Sequence, residues 1–188
     1  MGSTPTSGEN VTELSQEQEE WLAKVEEQYE AERGQEVSQS ILTRGALLRC
    51  SCGTHCRRLN LPQSYGVYID GDKKNPKVHA NNCMVGDDKN ISYYGVCKSK
   101  NGPEKKENIN LEPYVWPDGT KTSESKVSGN RCIPKILKMW LDTVSDEQIL
   151  DLDDAELYEG LSMKSFLVCK YGGIITAYES GQEFDDAE

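Results

Sequence analysis

Arg44-Gly45-Ala46-Leu47-Leu48-Arg49-Cys50-Ser51-Cys52-Gly53-Thr54-His55-Cys56 is the stretch around which this chain is organised. Three of the seven cysteines and one of the two histidines lie between Cys50 and Cys56. Upstream the sequence is acidic, polar and free of cysteine. Downstream it turns into short strand-like runs, turn residues and the other four cysteines. Residues 41–50, Ile-Leu-Thr-Arg-Gly-Ala-Leu-Leu-Arg-Cys, read as a strand leading into the cysteine group.

Leu59, Leu61, Tyr65, Val67 and Ile69 alternate with polar residues, the period of a half-buried strand. Asp70-Gly71-Asp72 is a turn signal. Residues 78–85 carry His79 and Cys83, and 90–97 read as a short strand or bend. Residues 98–131 are rich in Lys, Asn, Gly, Pro and Ser, with a small apolar island at Leu111, Tyr114, Val115 and Trp116. They read as a long surface insertion. Ile136, Leu137, Met139, Trp140 and Leu141 form an apolar patch. Residues 145–161 fit either a capped acidic helix or a strand beginning at Ile149. Residues 165–178 carry a Gly172-Gly173 pair between β-branched runs, a strand–turn–strand signature.

Working upstream, residues 12–33 read as a helix. Leu14, Trp21, Leu22, Val25 and Tyr29 make one apolar stripe, with Thr12 or Ser15 as cap and Gly34 as stop. The stripe suits docking on the chain's own domain or gripping a partner. Residues 1–11 have a disordered composition. The fold class expected is therefore mainly β, with an α-helical N-terminal extension. The division is an acidic extension over 1–40, a β domain over 41–180 containing the 98–131 insertion, and an acidic tail over 181–188.

Formal net charge is −11, and residues 1–40 hold ten Glu against Lys24 and Arg33. Such a balance argues against broad nucleic-acid binding, which needs Lys and Arg to displace counterions. No apolar run approaches the ~20 residues of a membrane-spanning helix. A basic region followed by an apolar stretch is missing at the N-terminus, so synthesis in the cytoplasm is expected. An odd number of cysteines in such a chain suggests thiols or metal ligands before disulfides.

Cys52, His55, Cys56, His79 and Cys83 form the candidate metal set. His79-x-x-x-Cys83 and Cys52-x-x-His55-Cys56 offer two ligand pairs, and four such groups can close a tetrahedral structural zinc site. Unliganded buried thiols and disulfides are the alternatives. Cys50, Cys97, Cys132 and Cys169 sit at strand ends in separate segments and suit core or paired cysteines better. A Cys–His nucleophile pair such as Cys56 with His79 is arithmetically available, but nothing in the sequence marks a stabilised thiolate or an orienting third group. There is no phosphate-binding loop, dinucleotide fingerprint or nucleophile elbow.

Gly45-Ala46-Leu47-Leu48-Arg49-Cys50-Ser51-Cys52-Gly53-Thr54 resembles the opening of a family of PAAR-like proteins long known only as a domain of unknown function. Further anchors follow in that family's order: Gly95-Val96-Cys97, then Cys132-Ile133-Pro134 with Trp140, then residues 165–175 with Cys169-Lys170-Tyr171-Gly172-Gly173-Ile174-Ile175. The resemblance covers roughly residues 43–178. It implies a small cone of short strands and hairpins that caps the trimeric β-helical spike of a contractile injection system, type VI-like or phage-tail-like. Related PAAR tips bind a metal near the apex through His and Cys. A pointed tip holds little hydrophobic core, so a metal would help tie its strands together.

Cys52, His55, Cys56, His79 and Cys83 lie outside the matched anchors, as do the insertion and the N-terminal helix. The expected function is that of a non-enzymatic spike tip or effector adaptor. It would sit as a monomer on the spike trimer, be made in the cytoplasm, and be exported on the machine. An effector or toxin protein would be recruited through the N-terminal helix. A zinc-stabilised interaction module unrelated to secretion is the alternative, and a Cys-dependent hydrolase or toxin comes third.

Overall fold

A computed structural model describes residues 14–33, 40–69 and 75–182, with side chains up to residue 27 in the first of these segments. The expected Thr12 cap, the Gly34 stop, the Tyr29 side chain, the Asp70-Gly71-Asp72 turn and the tail from 183 lie outside the described residues.

The fold is mainly β. Helix α1 spans Gln16–Arg33. Strands follow as β1 Leu47–Cys50, β2 Arg57–Arg58, β3 Asn108–Leu111, β4 Val127–Asn130, β5 Val144–Leu150, β6 Leu157–Gly160, β7 Phe166–Val168 and β8 Ile174–Glu179. One antiparallel sheet, in the order β2-β1-β8-β7, is the frame. In it Leu48 faces Ala177, Arg49 faces Thr176 and Cys50 faces Ile175, so the start of the β domain is zipped to its end. β3–β4 and β5–β6 are separate hairpins.

Much of the remaining chain joins this frame through isolated bridges rather than long strands. Gly53 pairs with Cys97, Val96 with Arg131, His79 with Gly160, Ile136 with Cys169 and Leu141 with Phe166. The 59–69 alternation does not produce a strand: beyond the isolated bridge of Tyr68 with Pro76, it is held by single backbone bonds, such as Leu59 N–H to the Ala46 carbonyl and Lys77 N–H to the Val67 carbonyl. Leu59 and Leu61 are buried all the same, because an irregular segment can point alternate side chains inward without a continuous ladder. Of the two forms open to residues 145–161, the chain takes the strand, as β5 and β6. The 98–131 segment is ordered: it contains β3 and β4, and Ser99 Oγ donates to the Tyr171 carbonyl at 2.5 Å.

The main core gathers Leu42, Leu48, Leu59, Ile91, Tyr94, Ile136, Leu161, Leu167 and Ile175, all at most 1% exposed. A second cluster seats the helix. Leu22 is buried against Leu137, Leu141, Phe166 and Val168, with Leu14, Val25 and Ile174 beside it. Ser15 caps α1 in a reciprocal box: its Oγ accepts from the Gln18 N–H at 3.3 Å, and Gln18 Oε1 accepts from the Ser15 N–H at 3.0 Å. The apolar stripe therefore docks on the chain's own domain, through Leu22. Trp21, counted in that stripe, is instead exposed.

Leu22→Ala is expected to cost roughly 2–5 kcal/mol of docking energy. Limited trypsin digestion should then cut at Lys24 early while the β body survives. The exposed Glu19→Ala should leave the cutting rate unchanged; equal rates in all three proteins would show that Leu22 does not hold the helix.

Candidate functional site

The chemistry-bearing side chains gather in two places. The first is a cysteine junction at the ends of β1, β4 and β7. Cys50 and Cys132 are in thiol–thiol hydrogen-bonding contact, and Cys132 also meets Cys97. Cys52 lies close enough to feel both Cys50 and Cys97. Cys169 accepts from the Lys135 N–H at 3.3 Å, on the same side. The backbone around them leaves no slack. A Cβ at Gly173 would stand 2.6 Å from Cys50 Sγ, so only glycine lets the β7–β8 turn close over the thiols.

Charge on these thiols is disfavoured by burial. Desolvation pushes Cys83 up to about 12 and Cys169 up to about 11. Within the Cys50–Cys132 pair the contact keeps the proton on Cys132, whose pKa rises, and draws Cys50 down. All seven cysteines are free thiols. Neutral and packed together, most of them behave as small apolar side chains.

The second place is a closed box around His79. Its ring is stacked on Tyr158 at 4.9 Å and tilted against Tyr65 at 4.6 Å. Nδ1 accepts from the Asn81 N–H at 3.2 Å, which puts the ring proton on Nε2. Nε2 lies 3.1 Å from Asp151 Oδ2, but its N–H is not aimed along that line, so it makes no well-formed hydrogen bond. Asn82 closes the box, donating to the Tyr65 hydroxyl at 2.9 Å and accepting from the His79 N–H at 2.8 Å. Burial lowers the His79 pKa below 6.5 even with Asp151 alongside, because desolvation outweighs the neighbouring carboxylate.

His55 is separately engaged. Its Nδ1 takes the Thr54 hydroxyl at 2.8 Å and its Nε2 faces the Glu112 carbonyl at 2.9 Å. Since Thr54 Oγ1 already accepts from the Val96 N–H, its own proton goes to Nδ1, and Nε2–H donates to Glu112. Burial again lowers the pKa. Gly95, at φ +70°, lies so close to His55 that a Cβ there would collide with the ring.

The five residues of the expected metal set are thus distributed over several environments. Cys52 belongs to the cysteine junction, His55 to the Glu112 carbonyl and Cys56 to Tyr114. His79 sits in its tyrosine box and Cys83 is buried with no charged partner shifting it. Among the described residues no group of three or more His, Cys, Asp or Glu is placed to hold a metal ion. The set does not fit one shared tetrahedral zinc: both nitrogens of His55 are already satisfied, and His79 has one nitrogen taken and the other facing a carboxylate. Asp151, Tyr65 and Tyr158 were missed in sequence because they come from distant loops and strands, with no spacing to link them to His79. The meeting of Cys50, Cys97 and Cys132 is likewise invisible to spacing.

Two outcomes follow from these environments. With a thiol reagent on the folded protein, half-exposed Cys52 and Cys97 should react first and Cys83 last, with seven thiols counted after unfolding without reductant. Both histidines should titrate below 6.5 by NMR. The unfolded chain then takes up protons first, so stability is full above the unfolded pKa and falls as pH drops through 6.5 toward the lower folded values. A histidine titrating above 6.5, or a urea midpoint rising over that descent, would contradict the assigned environments.

No curated protein and no solved structure matches the chain. Residues 42–182, from the buried Leu42 to just past the end of β8, match the family described as a domain of unknown function, DUF4280, and by that match over most of its length the protein belongs to this family.

Proposed function

We propose that this protein is a non-enzymatic tip or adaptor that caps the trimeric β-helical spike of a contractile injection system and carries an effector with it. One observation carries this reading. The separate anchors on which the resemblance to PAAR-like tips rests come together in space as one junction. Cys50 meets Cys132, Cys132 meets Cys97, Gly53 pairs with Cys97, and Gly173 closes on Cys50. Motifs far apart in the chain that converge on one packed junction are what a shared structural core requires, and chance matches would scatter.

Two surfaces support an interaction role. Leu150 and Leu157 face each other across β5–β6 and are 45% and 61% exposed, with Leu152 beyond them at 60%. Three leucines left in water at one hairpin end favour contact with another protein. We assign this hairpin to the spike. The outward side of α1 is the second surface, where exposed Trp21 shares a cleft of about 410 Å³ with Lys170 and Tyr171. We assign it to the effector, since α1 is an addition to the β domain.

Co-expression with a trimeric spike protein from the same genome should give a complex with one copy of this chain per trimer by native mass spectrometry. Leu150→Asp with Leu157→Asp should weaken that complex at least about tenfold, given the apolar area involved, while leaving circular dichroism unchanged. A chain that stays monomeric beside every spike protein of its own genome would falsify the proposal.

A further inference from the structure

A cleft lies on the outer face of β1 and β8, under the segment that follows β3. It measures about 710 Å³, within the range of small-molecule sites. Its charge runs against that of the whole molecule. In a chain of net charge −11, it is lined by Arg49, Lys98 and Lys121, and by no Asp or Glu. Carboxylates carried by neighbouring segments are engaged elsewhere: Glu179 pairs with Arg58 at 3.4 Å, Glu112 with Lys126 at 2.9 Å, and Asp118 accepts from the Thr120 N–H and hydroxyl. None of the three lining cations has a carboxylate partner among the described residues.

The hydroxyls of the cleft point to the same chemistry. Ser51 Oγ accepts from the Ile174 N–H at 2.9 Å and Thr122 Oγ1 from the Tyr114 N–H at 3.1 Å. Thr176 Oγ1 accepts from Arg49 Nε at 3.5 Å. A hydroxyl whose oxygen is occupied as acceptor is left to donate its proton. The walls therefore offer cations and O–H donors, the complement of an acceptor-rich anion. Trp116 and Ile174 supply an apolar wall. Trp116 is held in place by Tyr114 at 5.4 Å and Tyr178 at 5.5 Å, so its ring is preorganised.

We propose that this cleft binds a small organic polyanion, carrying phosphate or carboxylate groups on a planar apolar body. The anionic groups sit among Arg49, Lys98, Lys121 and the three hydroxyls, and the planar part lies on Trp116. A cleft of one charge sign focuses the field and draws such a ligand in from a molecule that otherwise repels it. This site borders the cysteine junction through Cys50 and Gly53, lies apart from the leucine hairpin, and does not depend on the spike assignment.

Titration calorimetry of the full chain at low salt tests it, with pyrophosphate, citrate and adenosine diphosphate as probes. Binding of adenosine diphosphate tighter than pyrophosphate, lost in Trp116→Ala, is the result expected for a phosphorylated ligand with a planar part. Citrate tighter than pyrophosphate would assign the anionic groups as carboxylates rather than phosphates, whereas adenosine diphosphate binding no tighter than pyrophosphate, or unchanged in Trp116→Ala, would overturn the planar part of the proposal. Lys98→Ala with Lys121→Ala should weaken either at least about tenfold, a change readable against unaltered thermal unfolding because both side chains are exposed. No binding of any probe at millimolar concentration overturns the proposal. So does binding that the double lysine variant leaves unchanged, or binding confined to a polyglutamate peptide.

Discussion

Everything in the β domain hangs on the pairing of β1 with β8. These strands come from opposite ends of the domain, so the ladder from Leu48–Ala177 to Cys50–Ile175 closes a loop of more than a hundred residues. The entropic cost of such a closure is about 4 kcal/mol by the logarithmic scaling of loop length. Burying a Leu or Ile side chain offsets roughly 1.5–3 kcal/mol. Leu48, Leu167 and Ile175, all buried at this sheet, thus outweigh the closure, but only when they assemble together. The many isolated bridges make sense in this light: the loops between the ladder's ends need no long strands of their own once the ends are fixed. Each can attach by one or two backbone bonds and a buried side chain.

The same constraint decides what was legible in the sequence. Local signals held up where the structure is local. The β7–β8 hairpin, the run entering Cys50 and the Ser15-capped helix all stand where periodicity and turn residues put them. Alternation over 59–69 misled, because that segment buries alternate residues against the core without a neighbouring strand. The 145–161 segment was ambiguous because its apolar residues satisfy both periods; the antiparallel pairing of Ile149 with Tyr158 resolves it. For the candidate site, closeness in sequence stood in for closeness in space, and failed. Cys50 turns toward Cys132, His55 reaches the Glu112 carbonyl and Cys56 faces Tyr114, so a dense motif fans out into unlike surroundings. What does converge is the sparser set of anchors from distant segments.

The fate of the two histidines shows how polar groups enter a core this small. Both rings are buried with protons on Nε2, each fixed by a backbone or hydroxyl partner on Nδ1. Neutral imidazoles between tyrosines or beneath a carbonyl avoid the desolvation penalty of a charged ring; His55 bonds through both nitrogens and His79 through Nδ1, with Nε2 beside Asp151. They act as specific spacers. His79 joins the 79–82 turn to β6 and to the loop carrying Asp151, and Trp140 Nε1 is bonded to the Asn82 carbonyl at 2.9 Å beside it.

Thiols solve a related packing problem at the junction. Where β1, the 97 region, the 132 region and the β7–β8 turn meet, the backbones approach so closely that Gly173 tolerates no Cβ beside Cys50. A leucine or valine there would demand volume the junction lacks, and a serine would bring a hydroxyl that needs partners. Cysteine is small and polarisable, and Cys132, raised by its contact with Cys50 and by burial, and Cys169, raised by burial, are uncharged at neutral pH. The cluster is therefore a close-packed core of sulfur at the point where the domain's two ends meet. Adding even one methylene at Cys50 would press on the β7–β8 turn, because a Cβ at Gly173 would already stand 2.6 Å from its sulfur.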